Sequence, residues 1–403
     1  MAKQPPTDDT EPPSDPSTPA PDPGGKTRTR TTPEVETGGT LAGPNWLTSL
    51  LLYGTDTINL FPRAVKQLTI ASKPGPGLTI VIASPYVSSR QCRLDRKRAT
   101  VRVTDEHSKN GTWFEGAREP WFYLTPGKTF IVGARPHRFL ALNDQMRADY
   151  PALVDILGAE NEHAIGSARE NPSPSDMIVA AVAGAHLLVT GEPHCDQDRL
   201  ANIVHRISRN HERSIVEISP ATLPTDRKGR TELVKQRAAR STLVLDLGDQ
   251  GEPLDPTFVS MLFKTRHQVR VIVLARSIDV ADKALGRQYG GQLQEVPLRP
   301  LASRPEAIDR LFDRMLEERN SPLRMSYLTP ENQEAVRGYH WPENFASLRQ
   351  AAARLTAIYR LGSINKAAQL FHIAPATLNY WYAHTLKLST PLSNRLIKHG
   401  NID

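Results

Sequence analysis

Two stretches of this chain hold the residue types with which proteins grip phosphate. The first pairs Val87-Ser-Ser-Arg-Gln-Cys92 with Asp105-Glu-His-Ser-Lys-Asn-Gly-Thr-Trp-Phe-Glu-Gly116. Hydroxyl, amide and cationic groups on loops can give a phosphate dianion several hydrogen bonds, strengthened by charge. Ser88, Ser89, Arg90, Lys109 and Asn110 are the candidates, with Lys73 upstream as a further cation. The second stretch is Gly191-Glu-Pro-His-Cys-Asp-Gln-Asp-Arg-Leu-Ala201, between the apolar run 185–190 and a helix-like segment at 198–208. A strand–loop–helix passage of this kind is where a phosphate-binding P-loop sits. Such a loop needs glycines, so that backbone N–H groups can close on phosphates, and a Lys against the β/γ charge. Here Gly191 remains, but His194, Asp196 and Gln197 take the places of glycine, glycine and lysine. Asp196 sets a negative charge against the phosphates, and Gln197 brings none to offset it. An ordinary strand–turn–helix that never held a nucleotide has the same outline.

The elements that must carry these residues differ along the chain. Residues 1–43 are rich in Pro, Thr, Asp and Gly without apolar periodicity, the composition of a disordered tail. From 44 to 144 come short β-type runs at 47–53, 57–61, 67–71, 79–82, 91–94, 100–104, 112–114, 129–132 and 139–142. Many short strands at close spacing with almost no helical pattern imply a β-sandwich. Residues 145–175 read as a helical linker ending in a bend, Asn171-Pro-Ser-Pro-Ser175. Between 176 and 302, strands at 187–190, 214–218, 241–246, 269–274 and 294–297 alternate with helical stretches such as 198–208, 230–239 and 256–265. That alternation implies a mostly parallel sheet with helices on both faces. Beyond 303 the pattern is helical throughout, at 305–319, 329–338, 344–361, 363–372 and 375–386.

At 403 residues the chain has length for roughly two to four domains. Cys92 and Cys195 are its only cysteines, which leaves no disulfide framework or zinc cluster and fits a reducing, cytoplasmic setting. No apolar run approaches the ~18–20 residues that span a bilayer, and the start of the chain lacks the apolar core of a secretory signal. A net charge of +7 permits a polyanionic partner.

Together the Val87–Cys92 and Asp105–Gly116 motifs resemble a forkhead-associated (FHA) domain, a β-sandwich whose loops recognise phosphothreonine in partner peptides. The family pattern is a Gly-Arg pair, then Ser-x-x-His, then Asp-x-x-Ser-x-Asn-Gly-Thr with a trailing Gly. The resemblance implies that Ser88 bonds the phosphate, flanked by Ser89 or Arg90, and that Lys109 and Asn110 hold the phosphate and the peptide backbone. Two positions depart from the pattern. Ala71-Ser72 stands near the Gly-Arg pair, leaving Lys73 as the substitute cation, and Gln91 stands at the family's structural His. Lys is a point charge without the bidentate grip of Arg, so weaker binding is expected. A sandwich that binds an unphosphorylated partner has the same outline. A candidate ligand lies in the chain itself, where Thr27, Thr29, Thr31 and Thr32 occupy a basic-then-acidic stretch. Phosphorylated Thr31 or Thr32 would dock on the domain of its own or a neighbouring chain; a disordered Thr-rich linker with no ligand role has the same composition.

Several later segments resemble, in order, the AAA+ ATPase domain of bacterial enhancer-binding proteins, the NtrC family. Leu188-Val-Thr-Gly-Glu192 is similar to the strand leading to Walker A, and Thr242-Leu-Val-Leu-Asp-Leu247 to Walker B. Val269-Arg-Val-Ile-Val-Leu-Ala275 is similar to the sensor strand, and the stretch from Leu298 to Ile308 to the entry of the helical lid. Tyr339-His-Trp-Pro-Glu-Asn-Phe-Ala-Ser-Leu348 resembles the lid signature Trp-Pro-Gly-Asn-Val-Arg-Glu-Leu. The departures point one way. Asp246 could still help hold magnesium, but Leu247 replaces the group that polarises water. The signature's arginine, which contacts nucleotide in the family, falls on Ala346. One Arg remains in Leu285-Gly-Arg-Gln-Tyr-Gly-Gly291, where the family carries arginine fingers. Between Pro220 and Thr231 there is no room for the loop that grips the sigma-N factor. Phosphoryl transfer depends on positioned cations, metal and a water-orienting group. The degenerate nucleotide site of Gly191, Gln197 and Asp246 is therefore expected to be a pseudo-ATPase remnant, with no catalytic residues, no cofactor and ATP binding not expected.

Gly362-Ser-Ile-Asn-Lys-Ala-Ala-Gln-Leu-Phe-His-Ile-Ala-Pro-Ala-Thr-Leu-Asn-Tyr-Trp-Tyr382 resembles a Fis-type helix-turn-helix. Ala367, Ala368, Leu370 and Ile373 have the spacing that lets two helices cross closely. Pro375 suits the first turn of the second helix. That helix would expose Ala376, Thr377, Asn379 and Tyr380 to DNA, with Lys366, Lys387, Arg395 and Lys398 available to phosphates. A helical hairpin that only packs or dimerises has the same pattern.

The expected architecture is multidomain: a tail at 1–43, an FHA β-sandwich at 44–144, a linker at 145–175, an α/β AAA+-like domain at 176–302, its helical lid at 303–361, and an all-α helix-turn-helix at 362–403. The function this implies is DNA-binding transcription regulation, with DNA and a phosphothreonine protein as partners, no membrane contact, and homo-oligomerisation left open. The alternatives are a phosphopeptide-dependent adaptor without DNA binding, and a sigma-N activator with residual ATP binding.

Overall fold

The computed structural model describes residues 45–133, 137–159, 172–249, 251–264 and 268–389. The tail at 1–43, with Thr27, Thr29, Thr31 and Thr32, lies outside the described residues, as do Arg395 and Lys398.

The first part is a sandwich of eleven strands: β1 (Ser49–Leu52), β2 (Ile58–Leu60), β3 (Gln67–Ala71), β4 (Leu78–Val81), β5 (Cys92–Lys97), β6 (Thr100–Asp105), β7 (Thr112–Phe114), β8 (Ala117–Arg118), β9 (Trp121–Leu124), β10 (Thr129–Val132) and β11 (Arg138–Leu142). One sheet runs β2-β1-β11-β10-β7-β8 and the other β4-β3-β5-β6-β9. Alternation builds the core between them. Val101 and Val103 of β6, Phe122 and Leu124 of β9, and Phe130 and Val132 of β10 point inward while their neighbours face out. The short strands β8 and β9 are additions to the sequence reading. Trp121 and Tyr123 are on the outer face, so the apolar run Trp-Phe-Tyr-Leu does not show the usual polar alternation.

The linker is an integral part of the core. Helix α1 (Asp144–Leu157) begins at once after β11, capped by Asn143, whose side chain accepts the N–H of Met146 (2.7 Å). The Pro/Ser-rich bend turns out to be a helix start. Ser173 caps α2 (Pro174–Ala183) in a reciprocal capping box with Asp176, and Pro174 sits in the first turn, where its missing N–H costs nothing. One apolar cluster joins Leu51, Leu140 and Leu142 of the sandwich to Leu153 of α1, Met177 of α2 and the first strand of the α/β region. On the far side of α1, buried Asp155 meets Arg314 (2.6 Å) and Arg310 (3.7 Å) of the lid, and its pKa is raised to about 6, burial outweighing the nearby arginines.

The α/β region follows as β12 (Leu187–Thr190), α3 (Gln197–Ile207), β13 (Val216–Ile218), α4 (Arg227–Glu232), β14 (Thr242–Asp246), α5 (Pro256–Leu262), β15 (Arg270–Ala275), α6 (Ile278–Leu285), α7 (Arg287–Gly290) and β16 (Gln294–Pro297). The sheet order is β13-β14-β15-β12-β16, with every neighbouring pair parallel. Strands β12 and β15 are buried along their whole length, as strands covered by helices on both faces must be. Open sheets of this kind form crevices outside the carboxyl ends of their strands, and the Gly191 loop leaves β12 at that end.

The remainder is helical: α8 (Ile308–Glu317), α9 (Pro330–Gly338), α10 (Asn344–Leu361), α11 (Ile364–Leu370) and α12 (Pro375–Tyr380), the last continued by a π-helical turn, Trp381–Thr385. A single apolar cluster runs from Leu301 through Phe345 and Leu355 to Ala367, Leu378 and Leu388. The lid and the terminal helices therefore share one core. No helix among the described residues is long and apolar enough to cross a membrane.

Candidate functional site

The sandwich gathers its phosphate candidates at one rim. Ser72 donates its N–H to the carbonyl of Ser88 (2.9 Å), which brings exposed Lys73 beside the loop that follows Val87. Ser88 Oγ accepts the N–H of Lys109 (3.0 Å), and Asn110 Nδ2 donates to the carbonyl of Tyr86 (2.9 Å). Three separate stretches of chain thus converge on Lys73, Ser88, Lys109 and Asn110. Lys73, Ser89, Arg90 and Lys109 are exposed, whereas Ser88 and Asn110 are half-buried. Arg90 is bound to Glu106 at 3.1 Å yet keeps its side chain 79% exposed. Its guanidinium flanks the loop with part of its charge already answered. Asn110 Nδ2 spends one of its two N–H groups on a loop-to-loop bond, leaving the other to donate and Oδ1 to accept from a peptide backbone.

Beneath this rim is a neutral network. Gln91 is fully buried; its Oε1 accepts the N–H of Ser88 (3.0 Å), and its Nε2 donates to Ser108 Oγ (2.8 Å) and the Gly111 carbonyl (2.9 Å). Asp105 accepts from the Ser108 N–H (2.9 Å), Ser108 Oγ (2.6 Å) and Thr112 Oγ1 (2.7 Å). Gln91 therefore fastens the two motif loops from the position expected to hold His, because an amide offers an acceptor and donors in one plane. Gly133 closes the rim from below. Its φ is +70°, and a Cβ there would collide with the Tyr86 carbonyl. The supporting roles of Asp105, Ser108 and Thr112 were present in the motif spacing, but their partners were not.

The loop between β12 and α3 is fixed by its own side chains and by those of α10. His194 (φ +62°) and Asp196 (φ +64°) adopt the left-handed conformation that glycine would take at little cost. Gln197 Nε2 turns back to the Glu192 carbonyl (2.8 Å). The adjoining cavity, about 270 Å³, is lined among others by Gly191, Asp198, Asp246, Asp249 and Arg276. Arg276 is paired with Asp249 (3.6 Å), and Asp246 Oδ1 accepts the N–H of Gly248 (2.9 Å). Burial raises the Asp198 pKa, and the carboxylates of Asp246, Glu217 and Asp196 push it further the same way. The local charge is thus negative where phosphates would need to be received.

Helix α10 brings a further arginine to this loop. Ala346 does stand where an arginine was expected, but Arg349, one helical turn later on the same face, reaches the loop instead. Arg349 Nη2 lies 2.6 Å from both carboxylate oxygens of Asp196. Asn344 Nδ2 donates to Glu192 Oε2 (3.3 Å) and the Pro193 carbonyl (3.1 Å), and the Phe345 N–H meets the His194 carbonyl (3.2 Å). The three-residue offset from Ala346 was the available signal.

In the terminal helices, Leu378 is buried with Ala367 and Ala368, while Ala376, Thr377, Asn379, Tyr380 and Lys366 are exposed. Among the described residues, no group of three or more His, Cys, Asp and Glu side chains is arranged to hold a metal.

Residues 74–133 match the FHA domain family. A search of curated proteins found no match. Among solved structures, NtrX from Brucella abortus is 15% identical and aligns over 50% of this chain and 65% of its own, with a TM-score of 0.34. This chain thus spans a little less than two thirds of that protein's length. The FHA domain of the CT664 protein from Chlamydia trachomatis is 20% identical over 24% of this chain and 97% of its own, with a TM-score of 0.21. EmbR from Mycobacterium tuberculosis, in complex with a low-affinity phosphopeptide, is 16% identical over 24% of each chain, also with a TM-score of 0.21. The rim built around Ser88 and Asn110 thus belongs to an FHA domain carried near the start of this chain.

Proposed function

We propose that the chain is a DNA-binding transcription regulator. Its FHA domain reads a phosphothreonine partner, its α/β region and lid act as a catalytically inactive AAA+-like scaffold, and its terminal helices meet DNA. The observation that carries this reading is the convergence of Lys73, Ser88, Lys109 and Asn110 on one rim, held by the Ser72–Ser88, Ser88–Lys109 and Asn110–Tyr86 hydrogen bonds. Two exposed ammonium groups, a hydroxyl and an amide suit a phosphate attached to a peptide. Two further features support the remaining parts: the acidic, Gln-for-Lys crevice and the exposed face of α12.

The test is a titration of the full chain with a peptide of residues 25–36, phosphorylated at Thr31 or Thr32, against its unphosphorylated twin. Unrelated phosphothreonine peptides serve as additional ligands. Phosphorylation should tighten binding about tenfold or more, as charge-assisted bonds to phosphate require. Equal affinity for all phosphorylated and unphosphorylated forms would remove the phosphate reader. Duplex DNA binding measured across salt concentrations tests the other end, because phosphate contacts make affinity fall linearly on a log–log plot. A second reading, an adaptor whose terminal helices bind protein, is favoured by the exposed apolar side chains of Leu370 (62%) and Tyr380 (65%). Absence of salt-dependent DNA binding would select it.

A further inference from the structure

We propose that Asp196 is a built-in substitute for nucleotide phosphate, whose carboxylate holds the lid shut on the β12–α3 loop through Arg349 without any ligand. The inference rests on the reading of that loop as an inactive nucleotide site and adds how the site is used. Asp196 is the residue that precedes α3, a helix of eleven residues. Aspartate in that position ordinarily caps the helix by accepting a backbone N–H from its first turn. Here the side chain makes no such bond. It lies only 9% exposed and turns to Arg349, with Arg199 as a second, longer partner at 3.4 Å. The negative charge therefore sits at the positive end of α3, where a phosphate would be stabilised for the same reason.

The lid side is equally committed. The Arg349 guanidinium lies 5.6 Å from the centroid of the Phe345 ring, which limits its freedom. Asn344 is 1% exposed and ties three pieces together: its Oδ1 accepts the Leu301 N–H (2.9 Å), while its Nδ2 reaches Glu192 and Pro193. In the family that the sequence resembles, a lid arginine reaches for nucleotide. In this chain the loop supplies the anion, and the arginine has moved one turn to meet it. Removing Arg349 leaves the buried carboxylate with only the longer Arg199 contact, and that is the costly case. Because α10 shares its apolar cluster with α11 and α12, the latch also sets where the terminal helices stand relative to the α/β sheet.

Hydrogen exchange on the full chain, followed at residues 192–198 and 344–350, tests the latch. Arg349→Ala and Asp196→Ala should each speed exchange in both segments by about tenfold or more. The double variant should be no faster than the faster single one, since both remove one interaction. Arg349→Lys, which keeps charge but loses the planar fork, should fall between wild type and Arg349→Ala. This milder change also guards against a variant that fails to fold. Wild-type rates in Arg349→Ala, or effects that multiply in the double variant, would overturn the latch. A parallel arm adds millimolar Mg-ATP to the wild-type protein, and unchanged exchange is expected. Protection by ATP would overturn the inactive-site reading, whatever the variants show.

Discussion

The FHA rim and the β12–α3 loop are both loops braced by contacts from distant parts of the chain, yet they treat charge in opposite ways. In the sandwich, the loops are tied together mostly by neutral groups, Gln91, Ser108, Thr112 and backbone amides, with Asp105 beneath them and the Arg90–Glu106 pair at the flank. The cations Lys73 and Lys109 are left at the surface, where a dianion can reach them. In the α/β region the anion is part of the protein, and the cation nearest to it is already bound. The loop has a left-handed backbone at His194 and Asp196, and the Arg349–Asp196 contact braces it there.

The sharpest way to break this comparison is Gln91→Ala. It leaves the Ser88 N–H without its side-chain partner, the Gly111 carbonyl with only the Gly133 N–H, and a gap where a buried side chain was, and the loss of stability should be about 3 kcal/mol. Urea unfolding measures it, and a loss below about 1 kcal/mol would mean that the neutral network does not hold the rim. Next comes Ser88→Ala, which removes a hydroxyl from the rim and should weaken phosphopeptide affinity by about 10- to 100-fold with little change in unfolding midpoint. Isothermal titration separates the two effects. A smaller change is expected from Lys73→Arg. A planar fork in place of a point charge should improve affinity by roughly threefold to tenfold if Lys73 meets the phosphate. No change would place that cation outside the site. The smallest effect belongs to the other loop: Gln197→Lys should yield no phosphate release from ATP, because Asp196 and Leu247 remain in place. Turnover in that variant, measured as inorganic phosphate, would show that one cation was all the site had lost.

Much of the scaffold was legible in the chain. Alternation in β6 and β10, continuous apolar runs in β12 and β15, and the Ser173–Pro174 start of α2 are local patterns that follow from the two-residue and 3.6-residue periods of backbone structure. The last of these has the composition of a bend as much as of a helix start, because Pro and Ser punctuate both, and only the capping box decides it. Strand β9 escaped for a different reason. Its outward residues Trp121 and Tyr123 are aromatic, so no polar alternation marked it.

What the sequence determined by itself was which chemical groups were available. It named Ser88, Lys109 and Asn110 as phosphate ligands in waiting and exposed the lack of glycines and lysine at 194, 196 and 197. It could not say where each group's partner would come from. Gln91 reaches Gly111 across twenty positions, and Arg349 reaches Asp196 across 153. Such pairings carry no periodicity, since they are set by how separately formed elements pack and by the need to satisfy each buried polar atom once they do. The tertiary structure therefore decided that one loop would remain open to a ligand and that the other would be answered from within.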